Sequence, residues 1–217
     1  MFITFEGLDF SGKSTQAQLL VEKLAKLPIA RGEALQKAHL IREPGGTHIS
    51  ERIREILLDK KHLEMSDAAE LFLFSASRAQ LVTEIILPAL TRGDIVVCDR
   101  FDDSTTVYQG YGRGLDLDAI RNINKLATDG IAPDLTFLVD IPIEEIRRRK
   151  GLAGLSFDRM EVSGHDFYAR VRNGYLALAA AEPDRWYRVD GMASVEEVAR
   201  RIWSVVEQKL TIHKSSA

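Results

Sequence analysis

Apolar residues recur along this chain in two rhythms, short unbroken runs and stretches with helical spacing, and the two alternate. The runs cover residues 2–5, 38–42, 94–98, 135–139 and 186–189, and each reads as a strand. Between them, residues 15–27 set Leu19, Leu20, Leu24 and Leu27 on one helical face. Residues 49–58 do the same with Ile49, Ile53, Ile56 and Leu57. Residues 67–90 form a long helical stretch closed by Arg92-Gly93, with Pro88 expected to kink or shorten it. Further helical patterns cover 118–128, stopped near Gly130, then 143–150, 167–181 and 195–210, and the polar residues 211–217 read as a frayed tail.

Strands alternating with helices of this length predict an α/β fold, a five-stranded parallel sheet with helices on both faces. The strands are apolar throughout, not alternating, as a sheet covered on both sides requires. No internal repeat or linker interrupts residues 1–210, so one domain is expected. Residues 28–37 form a long first helix-to-strand connection and read as a surface loop.

Composition changes this picture little. The 217 residues are 45% hydrophobic and 28% charged, an ordinary globular mix with core enough to fold unaided. A net charge of −3 gives no electrostatic reason to expect nucleic-acid or membrane partners, although local basic clusters can still hold a small anion. The single cysteine, Cys98, lies inside an apolar run, reads as a small buried hydrophobe and suits a reducing cytoplasm. The first residues lack the basic start and apolar core of a signal peptide. No unbroken apolar run reaches the roughly 20 residues of a membrane span.

The chemistry begins at Gly7-Leu8-Asp9-Phe10-Ser11-Gly12-Lys13-Ser14, which satisfies G-x-x-x-x-G-K-[ST] between a predicted strand and a predicted helix. Glycines let such a loop fold tightly enough for successive N–H groups to face one anion, and the helix that follows adds its positive end. Lys13 can reach the β- and γ-phosphates of a nucleotide, and the Ser14 hydroxyl can bind Mg²⁺. The motif specifies ATP or GTP and says little of the acceptor.

Four more segments narrow the acceptor: Arg42-Glu43-Pro44-Gly45-Gly46-Thr47, Phe74-Ser75-Ala76-Ser77-Arg78-Ala79-Gln80, Asp99-Arg100-Phe101, and Asp103-Ser104-Thr105-Thr106-Val107-Tyr108-Gln109-Gly110. With the phosphate loop, they resemble the thymidylate kinases, bacterial ones especially, from Met1 to about Asp190. The resemblance implies phosphorylation of dTMP by Mg-ATP in dTTP biosynthesis, in a cytoplasmic homodimer with Mg²⁺ as cofactor. Asp99 and Arg100 end a central strand, where α/β sheets place ligands. Arg100 has the fork geometry to clamp the acceptor phosphate, as its family counterpart does, and Asp99 is placed to hold a Mg²⁺-bound water or orient the acceptor oxygen. Phe74 and Arg78 share a helix face, an aromatic to stack on thymine and a donor for its carbonyl. Thr105 and Gln109 resemble residues near the base, and Tyr108 a tyrosine that disfavours a 2′-hydroxyl. Asp9, a carboxylate beside phosphates, matches an acidic family residue that contacts the acceptor's 3′-hydroxyl and positions the arginine. Arg42 and Arg52 are further cations for the acceptor phosphate, with a solvated surface position an equal alternative for Arg52.

A lid is expected at about 147–161, where Arg147, Arg148, Arg149 and Lys150 precede a glycine-flanked segment and Arg159 follows it. Family members carry a catalytic arginine in the lid or in the phosphate loop. Phe10 fills the loop position here, which points to the lid, yet no arginine lies between Lys150 and Asp158. Arg147, Arg148, Arg149 and Arg159 are the candidates, with Arg149 and Arg159 favoured. The alternative functions are another nucleoside or nucleotide kinase of this fold and a P-loop ATPase or switch module.

Overall fold

A computed structural model of the protein describes residues 1–27, 30–31, 34–35, 37–153, 159 and 164–215. In chain order its first elements are β1 (Phe2–Glu6), α1 (Lys13–Ala25), the two-residue strands β2 (Ala30–Arg31) and β3 (Ala34–Leu35), and β4 (Ala38–Arg42). Helix α2 (His48–Leu58), a 3₁₀ turn (Lys60–His62), α3 (Asp67–Leu81), a π-helical turn (Val82–Ile86) and α4 (Leu87–Thr91) follow. Next are β5 (Ile95–Asp99), α5 (Asp102–Thr105), a π-helical stretch (Thr106–Gly112) and α6 (Leu117–Ala127). The chain then runs through β6 (Leu135–Asp140), α7 (Ile143–Ala153), α8 (His165–Ala181), β7 (Trp186–Asp190) and α9 (Val195–Ser215).

Five strands form one parallel sheet in the order β4-β5-β1-β6-β7. The most apolar runs, β1, β5 and β6, occupy its middle, and all five residues of β1 and all six of β6 are buried. On one face Ile3, Phe5, Val97 and Phe137 pack against Ala17, Leu20 and Leu24 of α1 and Val198, Ile202 and Val206 of α9. On the other, Phe2, Val96 and Cys98 meet Leu81, Val82, Ile86 and Phe101, while Leu138 and Ile141 meet Val107, Tyr108 and the aromatic residues of α8. Burying each Val, Leu, Ile or Phe side chain among these contributes about 1.5–3 kcal/mol. Polar residues of β1 are paired within this second layer: the Thr4 and Thr136 hydroxyls bond at 2.8 Å.

Several expectations are corrected. Residues 28–37 hold an antiparallel pair, β2 with β3, where a loop was expected; two-residue strands are too short to show a period. Pro88 does not shorten the helix: Asp67–Thr91 stays helical, with the α-helix giving way to the π turn Val82–Ile86 just before the proline. That stretch is also long and apolar enough to cross a membrane by length and composition. It buries Leu71, Leu81, Val82 and Ile86, and its first part packs on α2 and α6. Residues 102–112 are helical, and α9 continues to Ser215, beyond the Leu210 at which the apolar pattern ends. Lid residues 154–158 and 160–163 lie outside the described residues.

Candidate active site

The carboxyl ends of β1 and β5 lie side by side, with Phe5 in register with Asp99, so whatever follows each strand meets the other. A cleft of about 770 Å³ opens there, a size suited to small-molecule ligands. Its lining brings together Asp9, Phe10, Gly12, Lys13 and Ser14 after β1 and Asp99, Arg100, Thr105, Tyr108 and Gln109 after β5. Arg42 at the end of β4 and Phe74 and Arg78 on α3 complete it. Every cleft residue expected for the acceptor is therefore in one place.

The phosphate loop departs from β1 in a conformation that needs glycine. Gly7 has φ 139°, and a Cβ there would sit 2.5 Å from the Val139 carbonyl oxygen. Gly12 caps α1 with φ 98°. Lys13 is 6% exposed, and its Nζ reaches the Leu8 carbonyl at 3.5 Å. Burial and then the Arg100 charge lower its pKa, while Asp99, Asp9 and Glu6 oppose them. The Ser14 hydroxyl donates to Asp99 Oδ2, and Asp99 Oδ1 is buried with no partner among the described residues. A hydroxyl and a carboxylate with spare acceptor capacity, next to a phosphate loop, form an oxygen-only donor set that fits Mg²⁺, an ion that keeps waters and shares phosphate oxygens.

Arg100 sits at φ 71°, with its N–H bonded to the Phe5 carbonyl at 3.0 Å, and this turns its side chain back under the cleft. Nη2 donates to Asp9 (2.7 Å) and the Tyr108 hydroxyl (3.1 Å), and Nη1 to Ser104 (3.1 Å) and Tyr175 (3.0 Å). The guanidinium also lies 4.9 Å from the Tyr108 ring centroid. Burial alone would weaken its charge, but the two tyrosines, Asp9 and Glu6 raise its pKa. Burial would likewise push Asp9 up, yet Arg100, Lys13 and the Tyr168 hydroxyl bring its pKa below the usual value. Beneath them Glu6, fully buried, accepts from the Phe101 N–H (2.8 Å), Ser104 (2.6 Å) and Tyr175 (2.8 Å).

The α3 side is equally knit. Arg78 is 2% exposed; Nε donates to Glu43 (2.8 Å), Nη1 to Asn124 (3.3 Å) and Nη2 to the Phe101 carbonyl (3.1 Å). Gln109 donates to Glu70 at 2.9 Å. Phe74 is half-buried in the cleft wall. Arg42 is exposed and pairs with Glu51. Arg52 pairs with Glu55 outside the cleft lining, whereas Arg54 lines it and donates to the Pro44 carbonyl at 2.8 Å.

The two favoured lid arginines go elsewhere than over the loop. Arg149 donates to the carbonyls of Phe10, Ser11 (both 3.2 Å) and Gly191 (2.7 Å), bracing the phosphate loop from outside. Arg159 is buried, with Nε on the Leu57 carbonyl and Nη2 2.6 Å from Glu70. Lys150 instead lies 5.4 Å from the Phe10 ring centroid. Glu6, Glu70, Tyr175 and Asn124 escaped the reading of the sequence; a carboxylate set among apolar residues, as Glu6 and Glu70 both are, was the available signal.

Comparison with known proteins agrees with this geometry. The family model described as Thymidylate kinase matches residues 5–202. Curated thymidylate kinases from Chlorobaculum parvum and a Synechococcus species are 47% and 48% identical. The first alignment covers 95% of both chains, the second 98% of this chain and 97% of the relative. The crystal structure of thymidylate kinase from Ehrlichia chaffeensis matches with a TM-score of 0.74 at 36% identity, covering 95% of this chain and 98% of that one. The chain belongs to the thymidylate kinase family.

Proposed function

From that membership we propose that the protein transfers the terminal phosphate of ATP to dTMP, giving dTDP for dTTP synthesis. The observation that carries the reading is the meeting of two anion sites in one cleft: a phosphate loop with Lys13, and Arg100 held by Asp9 and three hydroxyls. The loop N–H groups and Lys13 hold the donor phosphates. Arg100 holds the acceptor phosphate, whose oxygen attacks the γ-phosphorus in line. That oxygen is already an anion, so no strong general base is required, and catalysis is positioning and charge neutralisation. Asp9 fixes the fork of Arg100 and faces the acceptor sugar beside Tyr108. Phe74 stacks on the thymine, Arg78 donates to its carbonyl, and Thr105 and Gln109 border it. Ser14 and Asp99 would hold Mg²⁺, which neutralises charge on the donor phosphates when bound. Arg149 takes loop carbonyls and so keeps the loop N–H groups for phosphate. The lid excludes water that would otherwise hydrolyse ATP.

A homodimer in the cytoplasm is part of the same reading. Exposed apolar residues on α2 and α3, Ile49, Ile56 and Phe72, offer the surface for a second copy.

The test is ADP formation from Mg-ATP with dTMP, dUMP, dCMP, dGMP or no acceptor. The expected result is turnover that depends on dTMP and is far weaker with dCMP and dGMP. Equal turnover of dCMP, or ADP formed without any acceptor and unaffected by dTMP, would overturn the assignment.

A further inference from the structure

Thymine and cytosine differ in hydrogen-bonding sense at one ring atom: N3 of thymine carries a proton and donates, whereas N3 of cytosine accepts. A glutamine can meet either, because its amide has one donating and one accepting end. A glutamine in a pyrimidine site therefore discriminates only if something else fixes which end faces the base.

Gln109 lines the cleft with Phe74 and Arg78, and its Nε2 donates to Glu70 Oε1 at 2.9 Å. Glu70, on α3, is 1% exposed. Its remaining acceptor positions are filled by Arg113, with Nε and Nη2 each at 3.2 Å, and by Arg159 Nη2 at 2.6 Å. Burial alone would raise the pKa of Glu70, but hydrogen bonds from Arg113 and Gln109 and the charges of both arginines bring it below the usual value. An ionised carboxylate only accepts, so this partner admits one orientation of the amide.

We propose that Glu70 is a specificity-determining positioning residue: it holds the Gln109 NH₂ away from the cleft, leaving Oε1 to face the base and accept only from an N3–H. The site then welcomes thymine and leaves two acceptors opposed when cytosine enters. The proposal rests on reading the cleft as the dTMP site.

The test is Glu70→Gln. The introduced carbonyl stays at the Oε2 position with Arg113 Nη2 and Arg159 Nη2, and the introduced NH₂ takes the Oε1 position, where it faces Gln109 and gives up the Arg113 Nε bond. Gln109 then turns over to accept from it and presents its own NH₂ to the base. The ratio of kcat/KM for dTMP to that for dCMP is expected to fall about tenfold or more, the scale of one hydrogen bond reversed. Structural damage lowers both acceptors together and leaves the ratio alone. An unchanged ratio in a folded variant overturns the role of Glu70, whereas a wild-type enzyme with no preference for dTMP overturns the acceptor assignment itself. Should the variant not fold, the nucleotide-free wild-type protein decides through the ¹H–¹⁵N signals of the Gln109 side-chain NH₂. Held by a buried carboxylate, these protons exchange with water far more slowly than those of a free glutamine; exchange at the free rate overturns the proposal.

Discussion

The donor loop and the acceptor cleft meet at Lys13, Asp9 and Arg100, yet they are made of opposite materials. The loop is eight consecutive residues that act largely through backbone, and its strictest demand is negative: no Cβ at Gly7, where Val139 closes in. The cleft is made of side chains from β4, α3, the end of β5 and the π-helical stretch. Its two innermost cations each bring a largely buried retinue, Glu43 and Asn124 for Arg78, and Asp9, Ser104 and Tyr175 for Arg100. A backbone site leaves its charge balance to the ligand. A side-chain site must satisfy every buried charge before the ligand arrives, so many of its residues never touch the ligand at all.

The contrast can be broken from either end. Lys13→Ala removes the lysine of the phosphate loop, the cation proposed to hold the donor phosphates. Among the described residues its Nζ makes a single, long hydrogen bond, to the Leu8 carbonyl, so the fold is expected to survive. The kcat should fall about a thousandfold, with the KM for dTMP nearly unchanged. Steady-state kinetics together with circular dichroism checks this, and a comparable rise in the KM for dTMP would merge the two sides into one. Arg100→Lys is gentler: a cation stays beside Asp9, but the fork is lost. Losing about one charge-assisted hydrogen bond to the acceptor phosphate should raise the KM for dTMP roughly thirtyfold, and that for ATP less than about threefold. Equal rises would move Arg100 to the donor side.

The same contrast explains what could be read without a structure. The loop is contiguous, and β1, β5 and β6 are apolar because both their faces are covered, so loop and sheet were legible. Residues 102–112 were read for chemistry alone and not as helix, because Asp, Ser, Thr and Gly are weak helix formers. Gly110 and Gly112 sit there for packing: a Cβ would lie 2.5 Å from Leu117 Cδ2 at the first and 2.6 Å from Phe167 Cε2 at the second. The chemistry lining the cleft was legible too, in Arg100, Phe74, Arg78 and Gln109. The support beneath it was not. Which carboxylate a given arginine chooses is decided by the fold, and so Arg159, expected over the phosphates, lies on Glu70.

Glu6 gives the sharpest view of that hidden support. Burial, and then the Asp103 charge, push its pKa from 4.5 up to about 7, against the pull of Arg100 and the hydroxyls of Ser104 and Tyr175. Lys13 and Arg78 also feel its charge. The folded protein therefore binds a proton that the unfolded chain has already released. The stability this contributes is complete below pH 4.5 and is lost as pH rises through about 7. Glu6→Gln does not titrate, so the difference in unfolding free energy between wild type and variant isolates this one group. Between pH 5.5 and 8 the difference should move against the wild type by about 2 kcal/mol in urea titrations. The phosphate loop acts mostly through amides, which do not titrate. If the difference stays constant across that range, Glu6 is ionised throughout, and the layer beneath Arg100 carries its negative charge at every working pH.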